Sequence, residues 1–430
     1  MERTREEILP GVWLTALRTD KFKTDLLSIT LLSQLLRETA AMNAAIPSVL
    51  RRGTTLHPDM DSIAAKLDEL YGASINPVVR RLGEVHATGF AVSFAGEDYL
   101  PEREKLLRST TALAGDMLLS PNTRGGLFLP AYAESEKQKL LEKIQAQINE
   151  KNAYAVKRLI ENMCSCENFS VSRLGDEDTA GAINYKKLTR RYHELLATSP
   201  VEIFYCGGSD DYRVKNALRE ALQKLPRGGI DPEIGTDVRM NTVEPEPRFF
   251  TENLDVTQGK LSIGWRLGEY MEDPDLAALR VFNAVFGGSV TSKLFMNVRE
   301  KLSLCYYASS AVDIHKGLLL VSSGIAFDKF DPAKDEIFAQ LDAIKRGEIT
   351  DEELGAARRG VASDLRALMD SAPSLESYWL SQNVNGMDCA PDELAALCES
   401  VTREEVVAIA NSVACDAVYF LRGKEAAEDE

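Results

Sequence analysis

The chain has 430 residues, 44% of them apolar and 27% charged, which is the make-up of ordinary globular protein and enough for two or more cores. Its 66 acidic and 50 basic residues leave a net charge of −16 with no basic stripe suited to phosphates, which argues against nucleic-acid binding. The N-terminus has no continuous apolar h-region, no run is long enough to span a bilayer, and the seven cysteines are scattered and odd in number, so free thiols and a cytoplasmic location are expected.

In chain order, residues 13–18 and 26–32 predict strands, and helical stretches follow within 33–55 and 59–71. Residues 78–82 and 87–94 predict an antiparallel hairpin turning at Leu82-Gly83-Glu84. The segment 135–163 reads as helix almost throughout, and VEIFYCG at 201–207 as a strand. Between 224 and 248, four prolines and three glycines resist regular structure and read as a linker. Beyond it, strands are expected at 261–267, 306–312, 317–325 and 417–423. Thr350-Asp-Glu-Glu353 is a capping box opening a helix to about Met369, and Thr402-Arg-Glu-Glu405 opens another with Val406, Val407 and Ile409 on its apolar face. The halves look like weak copies: VEIFYCG at 201–207 matches AVYFLRG at 417–423, and LYGAS at 70–74 matches YYASS at 306–310. The expectation is an α+β protein of two similar domains, 1–223 and 249–430, joined at 224–248, each with helices packed on an antiparallel-rich sheet.

The stretch SQLLRETAAMNAAIPSVLRRGT, ending at Gly53-Thr54, and the following DMDSIAAKLDELY resemble the start of M16 (pitrilysin/insulinase-like) zinc peptidases. That family carries His-x-x-Glu-His on this helix, a few residues before Gly-Thr. Counted back from Gly53-Thr54, the histidine positions fall on Ala44 and Ser48, and the glutamate on Pro47. Zinc hydrolysis needs two imidazoles on one ion and a carboxylate to take the water's proton, and alanine, serine and proline supply none of these. The four histidines, His57, His86, His193 and His315, include no two within a helical turn, and Ala197 follows His193-Glu194 where a forward zinc motif needs its second histidine. Each therefore reads as a surface or hydrogen-bonding histidine. Nor does Cys164-Ser-Cys166 find a partner pair. The resemblance places the family's third ligand on the helix within 134–144; Glu142 matches it best, although alone it reads as a solvated carboxylate.

A second motif runs from Gly287-Gly288 through Ser292-Lys-Leu-Phe295 and Arg299-Glu300-Lys-Leu-Ser-Leu304-Cys305-Tyr306-Tyr307 to Ser309-Ser310. It resembles the C-terminal M16 motif, whose arginine and tyrosine project toward substrate and map here to Arg299 and Tyr306. In isolation Gly287-Gly288 reads as a turn, Arg299 as a solvated charge and Tyr306 as core packing, and Tyr307 stays open as the functional tyrosine. The runs at 9–24 and 67–74 resemble the M16B branch of inactive YmfF/YfmF-like homologues. The resemblance implies LuxS/MPP-like domains, no cofactor in this chain, zinc only in a His-x-x-Glu-His-bearing M16 partner subunit, and a peptide substrate held by Arg299 and Tyr306. The alternatives are a peptide-binding or scaffold protein, with a homodimer possible, and, ranked last, a stand-alone enzyme of another mechanism, for which no Gly-x-Ser-x-Gly elbow or phosphate loop is present.

Overall fold

A computed structural model describes residues 2–100, 105–270 and 272–423. The strands are β1 (Glu2–Leu9), β2 (Val12–Arg18), β3 (Thr24–Gln34), β4 (Ser74–Leu82), β5 (Val85–Ala95), the short pair β6 (Thr123–Arg124) and β7 (Leu127–Phe128), β8 (Val201–Gly207), β9 (Arg248–Leu254), β10 (Gly259–Arg266), β11 (Cys305–Asp313), β12 (Leu318–Ile325) and β13 (Ala414–Gly423). The helices used below are α1 (Arg37–Leu50), α2 (Met60–Glu69), α3 (Leu106–Leu119), α4 (Pro130–Ala146), α5 (Lys151–Met163), α6 (Glu177–Gly181), α7 (Tyr185–Thr198), α8 (Asp211–Leu222), α9 (Asp273–Asn283), α10 (Phe330–Lys345), α11 (Asp351–Leu368) and α12 (Ala372–Val384). Wide helical turns at Ala284–Gly288 and Leu294–Lys301 carry the second motif.

Two compact units result. The first comprises Met1–Gln145, Val171–Gly235 and Ser371–Val384; the second comprises Ala146–Ser170, Thr236–Asp370 and Asn385–Glu430. The sheet of the first runs β1-β2-β8-β3-β5-β4 and that of the second β9-β13-β10-β12-β11. Apart from the added β1, the two orders correspond strand for strand. Each sheet has one parallel pair, β2 with β8 and β13 with β9, and is otherwise antiparallel. The 78–94 hairpin forms as expected, with Leu82 opposite Val85.

The units are not contiguous in sequence. Residues 146–170, with α5, group with the second and 371–384, with α12, with the first, whereas the linear division puts each in the opposite domain. Each is the third long helix after the hairpin of its half. The stretch 135–163 is accordingly not one helix: it breaks between α4 and α5, where Glu150 leaves helical geometry at ψ 76°. In the second unit α5 packs on β10 and β13, and Met163 comes so close to Gly264 that a Cβ there would sit 2.5 Å from its sulfur. Buried charges fix the segment: Arg266 on β10 donates to Glu167 at 2.7 Å and to Asp416 at 2.8 Å, and Lys316 reaches Glu167 at 2.6 Å. Burial alone would raise the Glu167 carboxyl, but the Arg266 and Lys316 hydrogen bonds hold it below its usual range. In the first unit α12 is held by Arg80 donating to Glu376 at 2.6 Å, Asn383 donating to Glu202 at 3.0 Å, and the Arg3 guanidinium over Trp379.

The proline- and glycine-rich segment is irregular but anchored. Arg227 donates to the carbonyls of Pro10, Gly11, Leu196 and Ser199, which replaces a regular ladder as the way to satisfy backbone acceptors. LYGAS ends where β4 begins, whereas YYASS lies inside β11, the corresponding strand of the second unit, so the two runs occupy related but offset places. Both capping boxes form as expected, Thr350 with Glu353 and Thr402 with Glu405.

Candidate functional site

In the first unit α1 lies over β5, and its zinc-motif positions have become packing. Ala44 is buried. Pro47, inside the helix, lines with Leu50, Phe90 and Tyr192 a void of about 10 Å³. It can donate no backbone hydrogen to the carbonyl of Asn43, a helix-interior proline that costs about 3 kcal/mol in isolation. Ser48 is half-exposed. These donor types do not fit the zinc ion that the family resemblance implies for this helix. Among the described residues, no group of three or more His, Cys, Asp or Glu is placed to hold a metal ion.

Beneath Ala44 lies a polar cluster that sequence reasoning missed. Asn43, fully buried, donates to Ser33 Oγ at 3.1 Å, stands 3.4 Å from His86 Nδ1, and accepts from Arg191 Nε at 2.8 Å. Burial lowers the His86 pKa to about 4, outweighing a hydrogen bond with the Arg173 backbone, and the Arg191 and Arg173 charges act in the same direction as burial. His57 is half-buried in the Gly53-Thr54 turn, where its N–H donates to Thr54 Oγ1, while His193 is exposed and His315 bonds Asn385 through Nδ1 at 2.7 Å. The four are not brought together at one site.

On α4, Glu142 is exposed, near Gln138. The carboxylate of that helix that turns toward the end of α1 is Glu136, 8% exposed, 3.4 Å from Arg52 and 2.8 Å from Lys139. Arg52 also lies over the Tyr132 ring. The place is neutralised by protein cations.

In the second unit the motif is built differently. Gly287 and Gly288 belong to the turn after α9, where a Cβ on Gly287 would strike Ser310 and Leu294. Leu294 and Val298 bury the inner face of the next helical turn, leaving Arg299 on its outer side, 41% exposed. The guanidinium lies 4.6 Å from the Phe295 ring centroid and 3.5 Å from Glu300. Ser303, in the left-handed region at φ +49°, turns the chain into β11. There the register slips: Cys305 pairs with Ile325 and Tyr307 with Gly324, so Tyr306 is the extra residue of a β-bulge. Tyr306 is 64% exposed. Tyr307 is half-buried, its hydroxyl 3.3 Å from Ser322 Oγ, and burial raises its pKa.

The comparisons agree with this architecture. The family model described as "Peptidase M16 inactive domain" matches residues 182–361. The probable inactive metalloprotease YmfF of Bacillus subtilis (strain 168) is 31% identical over 418 residues, 97% of each chain. The chain belongs to the M16 peptidase family. Among solved structures, a conserved protein from Enterococcus faecalis V583 matches with a TM-score of 0.89 at 26% identity, covering 98% of this chain and 99% of that one. The peptidase M16 inactive domain from Pseudomonas fluorescens matches at 0.80 and 15%, covering 99% of each, a likeness of fold alone. The reading of an inactive, YmfF-like M16 homologue with an α+β, two-domain M16 fold is thus borne out. Among the described residues no helix is long and apolar enough to cross a membrane.

Proposed function

We propose that this chain is the non-catalytic subunit of a cytoplasmic M16 heterodimer that degrades or processes peptides. It pairs with a subunit carrying His-x-x-Glu-His, which holds the zinc and supplies the activated water. This chain contributes Arg299, whose planar fork holds a peptide carbonyl or carboxylate, and Tyr306, whose phenol donates to the scissile carbonyl as it becomes an oxyanion. The observation that carries the reading is that Tyr306 is 64% exposed on a bulge and Arg299 stands on the outer side of its turn. The bulge that carries Tyr306 out of the sheet does not require a tyrosine there, nor does the outer side of the turn require an arginine; substrate contact accounts for both residue types. Seven free thiols support a reducing compartment.

The test is to purify the tagged full chain gently from its own host and measure the mass and metal content of the native complex. The expected result is a companion of similar size bearing His-x-x-Glu-His and zinc. A metal-free monomer or self-dimer without a companion would contradict the heterodimer and favour a peptide-binding or scaffold role.

A further inference from the structure

Tyr306 owes its exposure to its neighbour. Strand β11 is an edge of its sheet, and nothing in local propensity requires a bulge at its second residue. The cause lies across the ladder. Gly324 on β12 leaves a gap into which the Tyr307 ring settles: a Cβ on Gly324 would lie 2.5 Å from Tyr307 Cε1 and 2.9 Å from Cδ1. No residue but glycine fits under that ring, an aromatic-over-glycine pairing of the kind used to pin register. The seat is closed on three sides. Ser322 meets the Tyr307 hydroxyl at 3.3 Å, Ser323 Oγ donates to its carbonyl at 2.9 Å, and the Lys260 ammonium sits 5.6 Å from the ring centroid, tied in turn to Gln258.

With Tyr307 committed to Gly324 and Cys305 paired to Ile325, the one residue between them has no partner and must leave the sheet. The other side of the segment is equally constrained. Ser303 N donates to Arg299 O at 3.1 Å and Leu304 N to Val298 O at 3.0 Å, so the turn from Arg299 to the strand is short and hydrogen-bonded.

We infer that Tyr307, seated across Gly324, is a positioning residue that fixes the bulge and so aims Tyr306 at a set distance from Arg299. The functional consequence rests on the reading of Tyr306 as a substrate-facing donor; the structural consequence does not. Misplacing such a donor by about 1 Å costs on the order of 10²-fold in turnover, whereas loss of the Tyr307 hydroxyl alone leaves the ring in its seat.

The experiment uses the full chain as wild type and as Tyr307→Phe, Tyr307→Ala and Gly324→Ala, each checked for folding by circular dichroism. Nitration by tetranitromethane is resolved by mass spectrometry to Tyr306 or Tyr307. In the wild type Tyr306 should react and Tyr307 should not. The Phe variant should keep the Tyr306 rate. Tyr307→Ala should change that rate several-fold, and Gly324→Ala should also make Tyr307 reactive. In the zinc-bearing complex, Tyr307→Ala should lower kcat with KM little changed, and the Phe variant should restore it. If Tyr306 nitration is the same in the wild type and both alanine variants, the inference is overturned; Tyr307→Ala decides the matter if Gly324→Ala fails to fold. If nitration shifts while turnover ignores even Tyr306→Phe, the positioning stands and the proposed function is what fails.

Discussion

The face of α1 and the segment 294–307 carry the two stretches that resemble M16 motifs, and here they have opposite characters. On α1, Ala44 and Pro47 are buried against apolar neighbours, and the polar groups below, Asn43 and His86, are tied to one another. In 294–307, Leu294 and Val298 do the packing while Arg299 and Tyr306 stand outside it. A motif position converted to packing has lost its constraint from chemistry. A position that keeps a polar side chain outside the packing is the one the proposed function uses.

The sharpest contrast is between two arginines of the same unit. Arg266 is fully buried between Glu167 and Asp416, so Arg266→Ala leaves two buried carboxylates short of a cation and should cost about 3–5 kcal/mol in urea unfolding. Arg299→Ala should cost under about 0.5 kcal/mol, because its guanidinium is half-exposed. Equal costs would erase the distinction drawn here.

The pH dependence of stability probes the polar cluster beneath α1. His86 stays neutral in the folded chain down to about 4, while the unfolded chain takes up the proton below 6.5. The stabilisation is therefore complete above pH 6.5 and is lost as pH falls toward 4, by roughly 3 kcal/mol. His86→Leu should remove that part of the pH profile, and an unchanged profile would mean that His86 is not held neutral. Ala44→His, which restores a family residue to a buried site, should destabilise by about 1–3 kcal/mol through overpacking, read as a lower urea midpoint. A neutral result would mean the α1 face is still open. The smallest effect expected is that of Tyr306→Phe, within about 0.5 kcal/mol of wild type in the same assay.

The strands with alternating or β-branched patterns were legible in the sequence, and the motif spacing from Ser292 to Ser310 pointed to Arg299 and to the Tyr306-Tyr307 pair without choosing between the tyrosines. Strand β1 is not legible from pattern because five of the eight residues of ERTREEIL are charged, as suits an edge strand whose Arg5 reaches Glu202 at 2.8 Å. Strand β9 was hidden in the composition of the linker that precedes it. The break between α4 and α5 was invisible to periodicity, since both sides are helical and only tertiary packing assigns them to different units. Spacing alone does not tell which side of α4 turns toward α1, so the buried place of Glu136 beside Arg52 was not legible from the run that contains Glu142. Which of the adjacent tyrosines leaves the sheet could not be read locally either, because the bulge depends on Gly324, seventeen residues beyond Tyr307 in sequence and next to it in the ladder.

The most direct measurement is peptide turnover by this chain reconstituted with the His-x-x-Glu-His subunit proposed as its partner, wild type against Arg299→Ala and Tyr306→Phe, with assembly checked by native mass. Each substitution should lower kcat by about 10²–10³-fold, the usual loss for an oxyanion donor, while the complex stays intact. Turnover unchanged in both variants would contradict the account.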